Sequence, residues 1–211
     1  MIRVLNQLSK ENKDFFTSEE LKKHCGDLYI DYRRTMDYLI SRGHLVQIIE
    51  DIYYVKTIKE IGKNQLRYSI LEFVAKGLKL KRIKNWYFGL YTALDINKIS
   101  HDHQDEFLYL INDHILEAQP IKILGKDFRF LRFKNALFNF GIIKNKIRYS
   151  DHEKTILDLI YLWESNHINE NRIYIEVSKL LEGISEEKIL RYAEFYPDSN
   201  QKLLKKALIK S

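Results

Sequence analysis

Between residues 16 and 55 the chain carries a close succession of helix starts, helix stops and turn signals, and this order constrains the fold more than any other feature. Phe16 stands before Thr17-Ser18-Glu19-Glu20. Thr17 with Glu20 three residues on is a capping box, and Phe16 can pack on Leu21 as a hydrophobic staple, so a short helix is expected up to about His24. Cys25-Gly26-Asp27 supplies a turn. A longer helix is expected over residues 29–42, with Tyr32, Met36, Leu39 and Ile40 on one face and Gly43 where a left-handed residue closes a helix. Residues 44–49 and 52–55 then read as two strands, with Glu50-Asp51 at the tip between them. Upstream, Ile2, Leu5 and Leu8 recur at helical spacing.

A short capped helix bracing a longer one, followed by a hairpin, is the pattern of a winged helix-turn-helix, expected here over residues 1–57. Its physical logic is the reading of duplex DNA: the longer helix fits the major groove, and the hairpin, or wing, touches the neighbouring backbone. Arg33, Arg34, Tyr38, Ser41 and Arg42 avoid the Met36/Leu39/Ile40 face. Arginine either bonds two acceptors of guanine or grips phosphate. Lys22 and Lys23, on the bracing helix, are placed for backbone contact. These seven residues form the candidate set for binding double-stranded DNA. The competing reading of the same pattern is a scaffold for protein contact whose charged face is simply solvated.

Charge complicates the DNA reading. The chain nets +6, yet residues 1–57 hold nine Lys/Arg against nine Asp/Glu, residues 58–150 hold 17 against nine, and residues 151–211 hold nine against 11. Phosphate neutralisation supplies most nucleic-acid affinity, so a neutral reader with an acidic wing tip lacks its main source of attraction. The basic surplus lies in the middle of the chain. There Lys79, Lys81, Arg82 and Lys84, beside Trp86 and Tyr87, together with Arg129, Arg132 and Lys134, form a candidate second surface. It suits nucleic acid, through charge and stacking, or an acidic partner.

The remaining chain reads as a mixed region. A helix is expected around Leu66–Leu78, an apolar segment over residues 85–94 and a buried strand over residues 107–111. Segments 121–124 and 127–133 flank a turn at Gly125-Lys126, and segments 138–143 and 146–149 suggest a hairpin around Asn145. Ser150 and Glu153 read as another capping box, ahead of an apolar stripe of Ile156, Leu157, Leu159, Ile160 and Trp163. Further helices are expected over residues 171–182, 185–195 and 198–209, with Ser185 and Asp198 as N-caps. The expected fold class is therefore α+β. A winged helix-turn-helix at 1–57 is followed at 58–211 by a mixed α/β domain, with a small sheet within 58–149 and a helical part at 150–211.

Several classes are disfavoured. One cysteine, Cys25, leaves no disulfide within the chain and no cysteine-based zinc finger. The opening MIRVLNQLSKEN lacks the apolar run of a signal peptide, and no stretch reaches the roughly 18 apolar residues of a membrane span, so a cytoplasmic protein without a membrane partner is expected. There is no phosphate-binding glycine loop, GxSxG elbow or HExxH pair. Asp151, Glu153 and Lys154 have the residue types of a metal-dependent nuclease, but acidic residues also suit a helix start. His101, Asp102, His103, Asp105 and Glu106 are metal-ligand types, in a segment that reads as a solvated loop. No enzyme site, cofactor or metal is expected.

Three stretches carry a family resemblance. TSEELKKHCGDLYIDYRRTMDYLISRGHLVQIIEDIYYV resembles the N-terminal domain of the AbiEi-family antitoxins of type IV toxin–antitoxin systems. Trp86-Tyr87-Phe88-Gly89-Leu90-Tyr91-Thr92-Ala93-Leu94 is similar to that family's aromatic-glycine-leucine-x-x-alanine-leucine segment. Ser150-Asp151-His152-Glu153-Lys154-Thr155-Ile156-Leu157-Asp158-Leu159 is similar to its serine-aspartate-x-glutamate-lysine-threonine segment. The resemblance covers roughly residues 15–165 and implies an autorepressor that binds the operator of its own operon. It also implies a nucleotidyltransferase-like toxin encoded alongside, opposed by the second domain without a stable complex. The family's wing commonly has a basic residue and glycine before its valine/isoleucine–tyrosine pair, where this chain has Glu50-Asp51 before Ile52-Tyr53. The resemblance therefore does not carry over wing-to-backbone contact.

Overall fold

The computed structural model describes residues 2–11, 13–63, 65–99, 106–115, 117 and 119–209. They fall into two compact units, residues 1–84 with 123–125 and residues 85–122 with 126–211. The first unit runs past the expected boundary at residue 57, because the helix at Ile70–Leu80 packs on the strands of the hairpin.

The first unit comprises α1 (Ile2–Lys10), β1 (Phe15–Thr17), α2 (Ser18–Asp27), α3 (Tyr32–Ser41), β2 (Leu45–Ile49), β3 (Ile52–Val55), α4 (Ile58–Lys63) and α5 (Ile70–Leu80). The capping box closes: Glu20 N–H donates to Thr17 Oγ1 (3.2 Å) and Thr17 N–H to Glu20 Oε2 (2.8 Å). The two faces of the helices meet in a core of Val4, Leu8, Phe16, Leu21, Cys25, Met36, Leu39 and Leu45. Cys25 is buried there, and burial pushes its thiol up, which suits an inert packing role. Ile40 departs from expectation. It lies a step round the helix from Leu39 and is 42% exposed.

The strand β1 is an element without a sequence signal of its own. It pairs antiparallel with β3, Phe15 opposite Tyr54 and Thr17 opposite Ile52, giving a three-stranded antiparallel sheet in the order β1-β3-β2. Phe15, Tyr54, Tyr68 and Phe73 cluster there, with Tyr54 and Phe73 4.7 Å apart edge to face. This contact fastens α5 to the sheet.

The second unit holds β4 (Trp86–Phe88), α6 (Leu90–Asn97), β5 (Leu108–Asn112), β6 (Ile121–Ile123), β7 (Lys126–Arg132), a 3₁₀ turn (Asn135–Phe138), β8 (Ile142–Lys144) and β9 (Arg148–Ser150). The helices α7 (His152–Ser165), α8 (Glu170–Leu180), α9 (Glu186–Ala193) and α10 (Asp198–Leu208) follow. The strands form one sheet in the order β6-β7-β5-β4-β9-β8. The β5–β7 and β4–β9 pairs are parallel, β4–β5 and β8–β9 antiparallel. Tyr87, Leu90, Ile111, Ile156, Leu159, Ile160, Ile189 and Leu204 are among its fully buried side chains. The whole is an α+β fold, and no helix among the described residues is long and apolar enough to cross a membrane.

Four local expectations change. The β6–β7 turn is Leu124-Gly125, not Gly125-Lys126, with both residues left-handed (φ 50° and 82°), as a two-residue hairpin loop demands. Residues 135–138 are a 3₁₀ turn, so the expected strand starts only at Ile142. The α7 cap is Asp151, whose Oδ1 accepts from Lys154 N–H (2.9 Å), while Ser150 ends β9 and pairs its hydroxyl with that of Thr155 (2.7 Å). Asp198 is the first residue of α10 and Pro197 precedes it, whereas Ser185 does cap α9.

Candidate nucleic-acid interface

The candidate surface is built on α2 and α3. Asp31 starts α3 by accepting from Arg34 N–H (2.8 Å). Thr35, Met36 and Leu39 are buried, and this turns positions 33, 37 and 41, with 34, 38 and 42, outward. Arg33, Arg34, Ser41 and Arg42 are exposed, and Tyr38 is half-buried. The Arg42 guanidinium lies over the Tyr38 ring at 5.8 Å, and Ser41 Oγ donates back to Tyr38 O (3.0 Å). The side chains of Arg33 and Arg34 make no ion pair among the described residues, so their donors face solvent. Lys22 and Lys23 are exposed on α2, and Lys22 Nζ stands 5.5 Å from the Tyr32 ring. The structure thus brings the seven candidates together on two adjacent helices.

Two exposed residues on or next to α3 escaped the sequence reading. Asp37 is exposed between Arg33 and Ser41, and a carboxylate is a residue type able to accept from cytosine N4. Its helical spacing from Arg33 was a signal. Tyr29 precedes α3 and is 99% exposed.

The acidic hairpin tip has a structural job. Asp51, at φ 61°, accepts at its carbonyl from Ser18 N–H (2.9 Å) and at its carboxylate from Ser18 Oγ (2.7 Å). A carboxylate beside the first residue of α2 complements that helix's positive end. Glu50 pairs with Lys81 at 3.5 Å. The tip is tied to its own unit.

The candidate second surface divides. Lys79 lies in the last turn of α5, and Lys81, Arg82 and Lys84 follow it, in the first unit. Arg129, Arg132 and Lys134 are exposed on β7 and just after it in the second unit, Arg129 stacking over the Phe107 ring at 4.2 Å. Trp86 and Tyr87, expected to stack on bases, are buried, because β4 lies inside the six-stranded sheet.

With the unit boundary at residue 84, the charge distribution changes meaning. The first unit holds 17 Lys/Arg against 11 Asp/Glu, and the second 18 against 18. All of the net +6 belongs to the unit that presents α3.

The nuclease-like trio is committed to internal contacts. Lys154 and Asp158 are fully buried and paired at 3.3 Å. Asp158 also accepts from the hydroxyls of Tyr87 (2.8 Å) and Tyr196 (2.6 Å). Burial pushes the Lys154 ammonium down and the Asp158 carboxyl up. Gly141, at φ 61°, passes so close that an added Cβ would sit 2.7 Å from Lys154 Cβ. Glu153 accepts from Lys188 Nζ (2.7 Å) and Ser185 N–H (3.0 Å); burial alone would raise its carboxyl, and these donors bring it below the usual range. Of the candidate metal loop, residues 101–105 lie outside the described residues.

No protein family matches the chain, and no curated protein is significantly similar to it. Among solved structures, the crystal structure of the RV2827C protein from Mycobacterium tuberculosis is similar, with a TM-score of 0.63 and 13% identity. The likeness is one of fold. It covers 98% of this chain and 75% of that one.

Proposed function

We propose that this chain is a DNA-binding transcriptional repressor of its own operon and the antitoxin of a type IV toxin–antitoxin pair. On this reading it acts in the cytoplasm without catalysis. The first unit is a winged helix, with α3 in the major groove, α2 bracing it and β2–β3 as a short wing. The observation that carries the reading is the pair Arg33 and Arg34, exposed and without ion pairs among the described residues, on the outward face of α3 in a unit holding the whole net charge. The tethered acidic tip leaves groove contact to α3 and backbone attraction to the basic residues of 59–84. The antitoxin half rests on the resemblance to AbiEi-family antitoxins. In support of it, two of the stretches that carry that resemblance meet through the Tyr87–Asp158 hydrogen bond.

The test is fluorescence anisotropy on DNA from upstream of the chain's own reading frame. Each groove arginine contributes roughly 1–3 kcal/mol, so Arg33→Ala/Arg34→Ala should weaken binding by on the order of 100-fold. Binding that survives both changes would remove α3 as the reader. Growth of cells expressing the neighbouring nucleotidyltransferase-like gene should be restored equally by wild type and by the double variant, since opposition to the toxin is assigned to the second unit.

A further inference from the structure

The helices α2 and α3 end in the same way, but with opposite residue choices. After α3, Gly43 N–H donates to Ile40 O (2.9 Å) and His44 N–H to Leu39 O (2.8 Å), with Gly43 left-handed. After α2, Tyr29 N–H donates to Gly26 O (3.0 Å) and Ile30 N–H to Cys25 O (2.9 Å), with Tyr29 left-handed at φ 56°. Both are Schellman closures, whose left-handed position is cheapest for glycine. The chain also closes α5, α6 and α7 with non-glycine residues, but those are Arg82, Lys98 and His167, polar side chains at home in water. Tyr29 alone among them carries a six-membered carbon ring, and at 99% exposure that ring recovers nothing from the fold. The left-handed backbone closes the two Schellman bonds, but the choice of tyrosine over glycine adds strain with no burial in return, and strained residues gather at functional sites.

Its position says what it is for. Tyr29 lies in the turn between α2 and α3, two residues before the Asp31 cap and four before Arg33, and the two helices it joins carry Lys22, Lys23, Arg33 and Arg34. Asp31 already occupies the start of α3, and its carboxylate repels a phosphate there. A neutral donor on a long rigid arm can reach past that charge to a backbone oxygen, and tyrosine hydroxyls are among the groups that do so. We infer that Tyr29 is a DNA-contact residue whose hydroxyl donates to a phosphate flanking the groove that α3 enters. This rests on the reading of α3 as the DNA-binding helix. A phosphate carries no sequence information, so the contact strengthens operator and unrelated duplex alike.

The test compares the full chain with Tyr29→Gly, Tyr29→Phe and Arg33→Ala/Arg34→Ala by anisotropy on operator and on unrelated DNA, with thermal unfolding of each protein. Tyr29→Gly should raise the unfolding midpoint, because glycine relieves the left-handed strain, and still weaken both DNAs by about tenfold, the loss of one phosphate hydrogen bond. Tyr29→Phe should show the same weakening. If Tyr29→Gly binds within about twofold of wild type while the arginine variant fails, the role of Tyr29 is overturned and the α3 reading stands. If Tyr29→Phe binds as wild type, the hydroxyl assignment is overturned. If wild type itself binds no DNA, both fall together.

Discussion

Glu60 shows how much one side chain can organise. It is nearly buried and accepts from the Tyr54 hydroxyl (2.7 Å), the Thr57 amide and hydroxyl (2.8 Å each) and the Arg67 amide (2.7 Å). It thereby starts α4 and ties residue 67 back to β3. Burial alone would raise its carboxyl, but these donors favour the charged form and hold it below its ordinary value of 4.5. Tyr54 is pushed the other way, by burial and then by its bond to Glu60. The sign follows. A carboxyl whose value is lowered on folding adds stability at pH above 4.5, and that stability is lost as pH falls through the folded value. Glu153, held by Lys188, behaves likewise in the second unit. Glu60→Gln should cost about 2–3 kcal/mol at neutral pH, because an amide cannot accept all four bonds. The deficit should shrink as pH drops below 4.5 and wild type loses the same interaction. Urea unfolding at about pH 7 and about pH 3.5 reads both effects, and a pH-independent deficit would assign the loss to packing.

Among the elements, α7 carries the sharpest energetic claim. Its Lys154 and Asp158, one turn apart and both fully buried, form an ion pair completed by Tyr87 from β4 and by Tyr196. Removing one partner leaves a charge buried without its counter-ion, so Lys154→Met and Asp158→Asn should each cost about 3–5 kcal/mol. The double variant should cost less than the two added together, and strict additivity in urea unfolding would mean that the pair is not coupled. The stripe that places α7 was plain in Ile156, Leu157, Leu159 and Ile160, but its buried pair was not. Lys154 reads as a surface lysine until Tyr87, 67 positions earlier in the chain, closes over it. The same distinction runs through the molecule. The Thr17–Glu20 box, Gly43 and the outward arginines are local signals and were legible. The strand β1 is three residues long, too short for periodicity, and exists because β3 offers an edge. Ser150 and Asp151 are adjacent and both cap helices well, so sequence alone could not choose between them. Tyr29 looked like the first residue of a helix because nothing local marks a left-handed tyrosine.

At the scale of the whole molecule, the outcome turns on where the first unit ends. Cut at residue 57, the first unit is neutral; ended at residue 84, it contains α5 and the basic run Lys79, Lys81, Arg82 and Lys84, and holds the entire net +6. The sequence pattern could not show this, because an amphipathic helix does not state which sheet it covers, and Phe73 reveals its partner only in contact with Tyr54. On the proposed function, a unit that concentrates charge in this way would bind phosphate by releasing counter-ions, and log affinity would fall linearly with log salt by about 0.9 per neutralised phosphate. Lys79 and Arg82 are exposed, whereas Lys81 is engaged with Glu50. Lys79→Gln/Arg82→Gln should therefore lower the salt slope of operator binding by up to about 1.8 and weaken unrelated DNA to the same degree. Arg129→Gln/Lys134→Gln, in the electrically neutral second unit, should leave the slope unchanged. Anisotropy titrations between roughly 50 and 200 mM salt separate the two. A slope that falls with the second pair and not the first would move the backbone contact out of the unit that presents α3.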